Sequence, residues 1–508
     1  LTEPAFVGRA TELAALGLAL ERTRQGRGGL VLAEAESGGG KTRLLDELAE
    51  QAERRGAWVL RGQGVDHAGH RPFQLLGGLV DAVEAADDAV VRRLQEALGD
   101  RADAVVGALP ELAGILSGAD LDLPEAHGET RSLLALPIFL DALGTPDRPA
   151  LVLLDDCQWA DGLTIRLLGA WQQHARTSGR HVLVVATFRS EEVDASHPLR
   201  SLDLADSIEL RPLSQSEAED LAESMAGPLP PEVHATLTEL AEGSPFMTAA
   251  VLRGMVECGA LVDSPSGWSV EEAALADVQT SRRAALFLVR RLELLSPAAL
   301  CLLTAGAVLG KEFDLSLAVA LSGQGPAEVV PALEDARRRR ILWVADAEGR
   351  CQFLHDKLRE TLLDRLSDRD RTYLHGRAAE RIEAIDPGRS FDLAYHFDAA
   401  GEPDRCLPHA LAAAEHARRQ HNLEIAEAHY RMALRSAEGA GAGLRGRLAE
   451  GLADVLTLRG SYGEAEEQFE LAQGLTNEAV ARAALQAKVG DVAFRRGEHR
   501  KARERLEG

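Results

Sequence analysis

The chain has 508 residues, which at about 150 residues per domain means three or four units and not one core. A net charge of −24 argues against bulk nucleic-acid or anionic-membrane binding, because the global field repels phosphates and only a local basic patch would escape it. Aromatic residues make up 4% of a chain that is 45% hydrophobic, so the cores are expected to be Leu, Ala and Val, which suits helices better than sandwiches or barrels.

The first 213 residues alternate short β-rich runs with helical stretches. Gly29–Ala35, Ala57–Gly62, Ala150–Asp156, His181–Arg189 and Ser207–Leu213 read as strands. Continuous apolar runs of this kind are buried on both faces, as in a parallel sheet covered by helices, so a doubly wound α/β domain is expected over 1–213. Residues 214–278 turn helical, with breaks at Pro228–Pro231 and Gly243–Pro245. Residues 279–366 read as helices followed by a hairpin, Ile341–Ala345 and Cys351–His355 with a turn near Glu348–Gly349, the outline of a winged helix. From 367 to 508 the chain is Ala- and Leu-rich helix with an internal repeat. Leu452–Glu470 aligns with Val489–Glu507 at a spacing of 37, and Glu415–Tyr430 matches the first of these at an offset of 39. Helix, short turn at Gly or Asn, helix is the pattern of a tetratricopeptide-like solenoid.

The strongest chemical signal is Ala35-Glu36-Ser37-Gly38-Gly39-Gly40-Lys41-Thr42, after a predicted strand and before a predicted helix, Arg43–Arg55. It meets G-x-x-x-x-G-K-S/T except at its first position, where Ala35 replaces glycine, a change tolerable if its backbone keeps a negative φ. Such a loop points backbone N–H groups at an anion, and the following helix aims its positive end at the phosphates. Ser37, Gly38, Gly39 and Gly40, with Lys41, Thr42 and Arg43, are therefore the expected nucleotide contacts. Lys41 would reach the β- and γ-phosphates, and the Thr42 hydroxyl would hold Mg2+. Downstream, Leu151-Val152-Leu153-Leu154-Asp155-Asp156 is an apolar strand ending in two carboxylates, a Walker B pattern. Asp155 is expected at the Mg2+ shell and Asp156 at the attacking water. Arg189 ends another strand, where open α/β sheets bind ligands, and is expected to sense the γ-phosphate. No N-K-x-D element for guanine is present, so ATP and ADP are favoured.

Together these residues resemble the STAND class of signalling ATPases, within the AAA-type, origin-recognition-complex-like family. Phe6-Val7-Gly8-Arg9 matches the family's opening F-V-G-R, and the resemblance implies that Val7, Gly8 and Arg9 contact the adenine end. Leu154-Asp155-Asp156 with Trp159-Ala160-Asp161 looks like its L-D-D-x-x-W-A-D block, and Ala186-Thr187-Phe188-Arg189 its A-T-x-R sensor strand. Gly243-Ser244-Pro245-Phe246 resembles the G-x-P motif of a helical lid, which implies that Pro245 packs on the base. Phe353-Leu354-His355-Asp356 resembles the winged-helix motif, which implies that His355 approaches the β-phosphate of ADP.

The expected function is a slowly hydrolysing switch whose repeats sense a ligand or partner, with self-oligomerisation possible and DNA disfavoured. An origin-recognition-like DNA-binding ATPase and a scaffold with structural ATP are the alternatives. The cysteines Cys157, Cys258, Cys301, Cys351 and Cys406 are scattered, with no C-x-x-C, so neither a zinc site nor a disulfide framework is suggested and a reducing cytoplasm is expected. No signal peptide and no apolar run near the ~20 residues of a membrane span is seen. The chain begins at Leu1 and ends just after a repeat-like helix; both ends read as cut, with the output domain expected outside. His67 and His70 form an H-x-x-H with only Asp66 nearby, too little for a metal site, and Arg337–Arg340 is as compatible with a helix C-terminus as with DNA.

Overall fold

The computed structural model describes residues 1–65, 71–116, 128–174, 179–202, 206–265, 267–280, 292–344 and 349–507. Five parallel strands form the first sheet: β1 Arg27–Ala35, β2 Trp58–Gln63, β3 Ala150–Asp155, β4 Arg180–Arg189 and β5 Asp206–Glu209, in the order β2-β3-β4-β1-β5. Their period-two side chains split between two layers. Leu30, Leu32, Val152, Leu154, Val184 and Ala186 pack under helices that include Gly77–Glu84, Asp88–Leu98, Gly128–Ala142 and Gly162–His174. Val31, Leu151, Leu153, Leu183 and Val185 pack under Ala10–Arg24 and Lys41–Arg54. Burial on both faces explains the unbroken apolar runs in the sequence. Register places Ala35 opposite Arg189 and Leu154 opposite Ala186, so the ends of β1, β3 and β4 meet at one edge. The fifth strand stops at Glu209, short of the expected Leu213; Leu210 N–H still reaches the Glu34 carbonyl, but Pro212 has no N–H to carry a ladder on.

Helices Gln215–Ala226, Pro231–Ala241 and Pro245–Glu257 follow, broken where proline and Gly243 were expected to break them. Ser214 and Glu217 close the first with a reciprocal capping box, an arrangement in which each cap is worth about 1 kcal/mol. An unexpected antiparallel pair, β6 Leu261–Ser264 and β7 Gly267–Val270, comes next; four-residue strands are too short for periodicity to reveal. Then come helix Pro297–Leu309, β8 Glu312–Asp314, helices Leu315–Ser322 and Pro326–Arg338, and the pair β9 Leu342–Val344 and β10 Arg350–Phe353. These strands make one antiparallel sheet, β8-β10-β9, of which the sequence revealed only the hairpin. The expected second hairpin strand ran to His355. It ends at Phe353, because the His355 side chain accepts the Lys357 N–H and starts helix Asp356–Asp364. Ala345 and Glu348, placed in that hairpin and its turn, lie outside the described residues, as do Asp66, His67 and His70.

After helices Asp368–Ile385 and Ser390–Ala399, which pack on each other, three pairs form an α-solenoid: Pro403–Arg419 with Leu423–Ser436, Ala442–Arg459 with Tyr462–Leu475, and Ala479–Arg495 with His499–Glu507. Each pair turns on a left-handed residue, His421 at φ 58°, Gly460 at φ 80° and Gly497 at φ 80°. These lie 39 and 37 residues apart, the two offsets of the sequence repeat. One continuous apolar cluster runs from Leu292 through Phe313, Phe353, Phe397 and Leu452 to Val492, so the β8–β10 sheet and the solenoid share a core.

That core buries histidines. His375 Nδ1 lies 2.9 Å from His396 Nδ1, a contact in which one ring donates and the other accepts, so both cannot be protonated. Burial pushes His375 down to about 4 and His396 to about 3. In the unfolded chain each takes a proton near pH ~6.5. Unfolding therefore takes up protons between about pH 6.5 and 4, and stability falls as pH falls through that window. The urea midpoint is expected to be lower at pH 5 than at pH 7.5, above the range where ordinary carboxylates titrate. A midpoint constant between those values would contradict this.

Candidate functional site

The loop 36–40 leads from β1 into helix Lys41–Arg54, at the edge where β3 and β4 also end. Gly38 (φ 79°) and Gly40 (φ 94°) are left-handed, a conformation side-chain-bearing residues seldom adopt. A Cβ on Gly38 would stand 3.1 Å from Phe246 Cβ and 3.2 Å from both His355 Nε2 and Ser244 Oγ. Ala35 is the last residue of β1, buried and outside the left-handed region, so replacing glycine there strains nothing. The helix begins at Lys41, two residues earlier than expected, with Gly40 as its cap. Lys41 Nζ is buried and donates to the carbonyls of Ala35 (2.8 Å) and Glu36 (3.0 Å). Burial holds its pKa below the ordinary lysine value, against the pull of Asp156, Asp155 and Glu191. Ser37 N–H donates to the Glu191 carboxylate at 2.8 Å. Arg43 is exposed and paired with Glu47 at 2.8 Å.

Thr42 Oγ1 donates to Asp155 Oδ2 at 2.6 Å, and Thr187 Oγ1 donates to Asp155 Oδ1. Burial, with Asp156 next to it, raises the Asp155 pKa. Asp156 has left-handed backbone (φ 55°) that turns its carboxylate off the strand end. Its Oδ2 accepts from Lys311 Nζ at 2.6 Å, its Oδ1 accepts from Gln158 Nε2 at 3.0 Å, and Arg189 Nε lies 3.5 Å from Oδ1. Burial opposes its charge, but Lys311 and Arg189 outweigh that and hold the pKa below the usual carboxylate value. Arg189 Nη1 donates to Glu192 at 2.7 Å, Nη2 donates to Asp356, and the guanidinium lies 4.5 Å from the centre of the Trp159 ring.

The remaining expected residues come from three other places in the chain. Arg9 is buried and donates from Nη2 to the carbonyls of Gly39 (3.2 Å) and Arg211 (2.6 Å), so it braces the loop. Val7 packs on the core of helices 215–257, and a Cβ on Gly8 would meet Leu213 Cδ2 at 2.7 Å. Ser244 Oγ and Phe246 N–H both donate to the Gly38 carbonyl at 3.3 Å, and Pro245 Cγ lies 3.8 Å from where a Gly40 Cβ would be. His355 stacks on Phe246 with ring centres 3.7 Å apart and 19° between planes. Its Nδ1 accepts from Lys357 N–H at 3.1 Å, which leaves the proton of the neutral ring on Nε2, the atom facing Gly38. Burial, then Arg189, Lys311 and Lys41, lower its pKa to about 3, so the ring is neutral at physiological pH.

This assembly is a glycine loop cradling a helix N-terminus, beside a paired threonine and aspartate. Residues 5–185 match the AAA ATPase domain. The chain is similar to an uncharacterized protein of Rhizobium meliloti (strain 1021), 27% identical over 441 residues, or 80% of this chain and 40% of that protein. The chain thus spans 40% of the length of the curated relative it matches. Its fold is similar to a Signal Transduction ATPase with Numerous Domains (STAND) protein with a tetratricopeptide repeat sensor from Pyrococcus horikoshii. That pair has 13% identity and a TM-score of 0.41, over 100% of this chain and 82% of that one. It is also similar to Cdc6p from Pyrobaculum aerophilum, at 12% identity and a TM-score of 0.35, over 72% of this chain and 98% of that one.

Among the residues that reach the edge where β1, β3 and β4 end, Lys311 and Asp356 were given no role by the sequence. Lys311 carries no motif; only the β8–β10 sheet brings it to Asp156. Asp356 stood in the quoted F-L-H-D run but was given no role. Asp161, quoted as the end of the W-A-D run, accepts the Leu163 and Thr164 N–H groups at 3.1 Å and caps helix Gly162–His174. It also accepts from Asn422 in a solenoid turn at 2.7 Å, and Arg71 pairs with Asp392 at 2.6 Å, so the solenoid docks on the domain. Among the described residues no group of three or more His, Cys, Asp or Glu is placed to hold a metal ion by itself, and no helix is long and apolar enough to cross a membrane. All five cysteines are free thiols.

Proposed function

We propose that this chain binds ATP and ADP with Mg2+ and works as a slowly hydrolysing switch, whose solenoid responds to a ligand or partner and whose output lies outside this segment. The observation that carries this reading is the convergence on Gly38 of Ser244, Phe246 and His355, from segments far apart in sequence. A nucleotide in the loop would then be touched by the α/β domain (1–213), a helical lid (214–278) and a winged helix (279–366), with tetratricopeptide-like repeats (367–508) behind. Thr42 and Asp155 are hard oxygen donors held side by side, which suits Mg2+ bound mainly by phosphate and water. Bound there, the ion would neutralise charge on the phosphates. Lys41 would hold the β- and γ-phosphates, Asp156 would orient the attacking water, and Arg189 would read the γ-phosphate. Val7, Gly8, Arg9 and Pro245 would line the base end.

The arginine run offers little support to the DNA-binding alternative. Arg338 and Arg339 pair with Asp335, and Arg340 pairs with Glu3.

A nucleotide shifts a two-state equilibrium only by its differential affinity for the two states. His355 supplies such a difference, since its Nε2–H donor faces the loop only when the distal sheet is docked. His355→Ala is expected to weaken ADP binding more than ATP binding, by about tenfold for ADP, the value of one hydrogen bond to a charged group. It should also raise protease sensitivity between the α/β domain and the winged helix. Calorimetry with both nucleotides checks this; equal loss of both affinities, or of neither, would count against the latch.

A further inference from the structure

Resting on that reading of the site, we propose that Lys311 and Asp356 form a charge clamp that disables Asp156 and Arg189 together until the body carrying the solenoid moves away. Each of the two candidate catalytic groups is held by a residue of opposite sign beside the β8–β10 sheet: Lys311 just before β8, and Asp356 at the start of the helix that follows β10. Lys311 Nζ donates to Asp156 Oδ2 at 2.6 Å and lies 3.5 Å from Asp356 Oδ2, which in turn accepts from Arg189. With Gln158 on Oδ1, each oxygen of Asp156 already accepts a hydrogen bond, and the ammonium on Oδ2 makes the carboxylate a weaker acceptor for a water proton. The Arg189 guanidinium is likewise spent on Glu192 and Asp356.

The pairing is too buried to be incidental. Lys311 is 8% exposed and Asp156 4%. Either charge left alone there would be strongly unfavourable, so the sequence keeps both. Burial opposes the Lys311 charge, yet Asp156 and Asp356 outweigh it and raise its pKa, so the ammonium stays charged.

The two clamp residues move as one. Phe353 N–H donates to the Lys311 carbonyl at 3.0 Å and Gln352 pairs with Glu312, so the β8–β10 ladder fixes Lys311 beside the segment bearing His355 and Asp356. Phe313, Phe353 and Leu358 lie in the core shared with the solenoid. A force on the repeats is thereby transmitted to Lys311 and Asp356 together. Docking suppresses hydrolysis, and undocking frees the carboxylate and the arginine in one motion.

The test is steady-state ATP turnover and nucleotide affinity of the 508-residue chain carrying Lys311→Met, Asp356→Asn, Lys311→Arg or Lys311→Met with Asp156→Asn. Lys311→Met is expected to raise kcat about tenfold with KM little changed, as expected for losing a charged hydrogen bond that biases a two-state equilibrium. Lys311→Arg should bring turnover back toward wild type, and the double variant should lose the gain. Asp356→Asn should raise kcat in the same direction, and it decides the matter if thermal melting shows that Lys311→Met does not fold. Nucleotide bound normally with kcat unchanged or lowered in the folded variants would overturn the clamp alone. A wild-type chain that binds no nucleotide would overturn the site reading and the clamp with it.

Discussion

Lys41→Ala is expected to abolish ATP and ADP binding and leave the fold intact. The ammonium is buried, drawn below its ordinary pKa by that burial, and donates to the carbonyls of Ala35 and Glu36, so it is poised to exchange those oxygens for phosphate oxygens. Two charged hydrogen bonds of about 1.5–3 kcal/mol each correspond to a loss of about a hundredfold or more in affinity. Alanine is the best helix former, and Lys41 opens helix Lys41–Arg54, so helicity is not threatened. Calorimetry on a variant with wild-type circular dichroism checks this. Unchanged affinity would remove Lys41 from the site, and with it the phosphate-binding role of the loop.

Asp156→Asn is expected to keep Mg-ATP binding and slow hydrolysis about a hundredfold, the low end of what a positioned general base contributes. The two carboxylates differ in their neighbours. Asp155 is held by Thr42 and Thr187 at the metal edge, whereas Asp156 is turned away by its left-handed backbone toward Lys311 and Arg189. Asparagine keeps the shape and still accepts from Lys311, so the domains should stay docked while the basic oxygen is lost. Single-turnover hydrolysis together with a binding titration separates the two effects. Turnover equal to wild type would make Asp156 a bystander and require another group to orient the water.

The α/β domain was legible because its chemistry is local. The glycine loop, its lysine and threonine, and the two carboxylates after an apolar strand are each set by neighbours in sequence, and the five strands fall where the apolar runs lie. The repeats were legible too, since the same turn recurs at His421, Gly460 and Gly497. What stayed hidden depends on long-range packing. No spacing rule links Lys311 to Asp156, 155 residues away, and only the docked sheet joins them. Arg43, beside the motif in sequence, pairs along the helix with Glu47. His355 was read as the end of a strand because the hairpin pattern runs into it, but its side chain bonds the next turn's N–H and begins a helix. Asp161, quoted as the end of the W-A-D run, also caps a helix and holds Asn422, a contact with the solenoid that no local pattern announces.

Hydrogen–deuterium exchange with Mg-ADP and with a non-hydrolysable ATP analogue tests the central claim, that one nucleotide site couples the loop to the distal sheet. ADP is expected to slow exchange both at the amides of Gly38–Thr42 and at those of Lys311 and Phe353–Lys357, whereas the ATP analogue slows the loop and leaves the distal amides as fast as, or faster than, without nucleotide. No protection of the loop by either nucleotide, or identical protection of the distal amides by both, would contradict it.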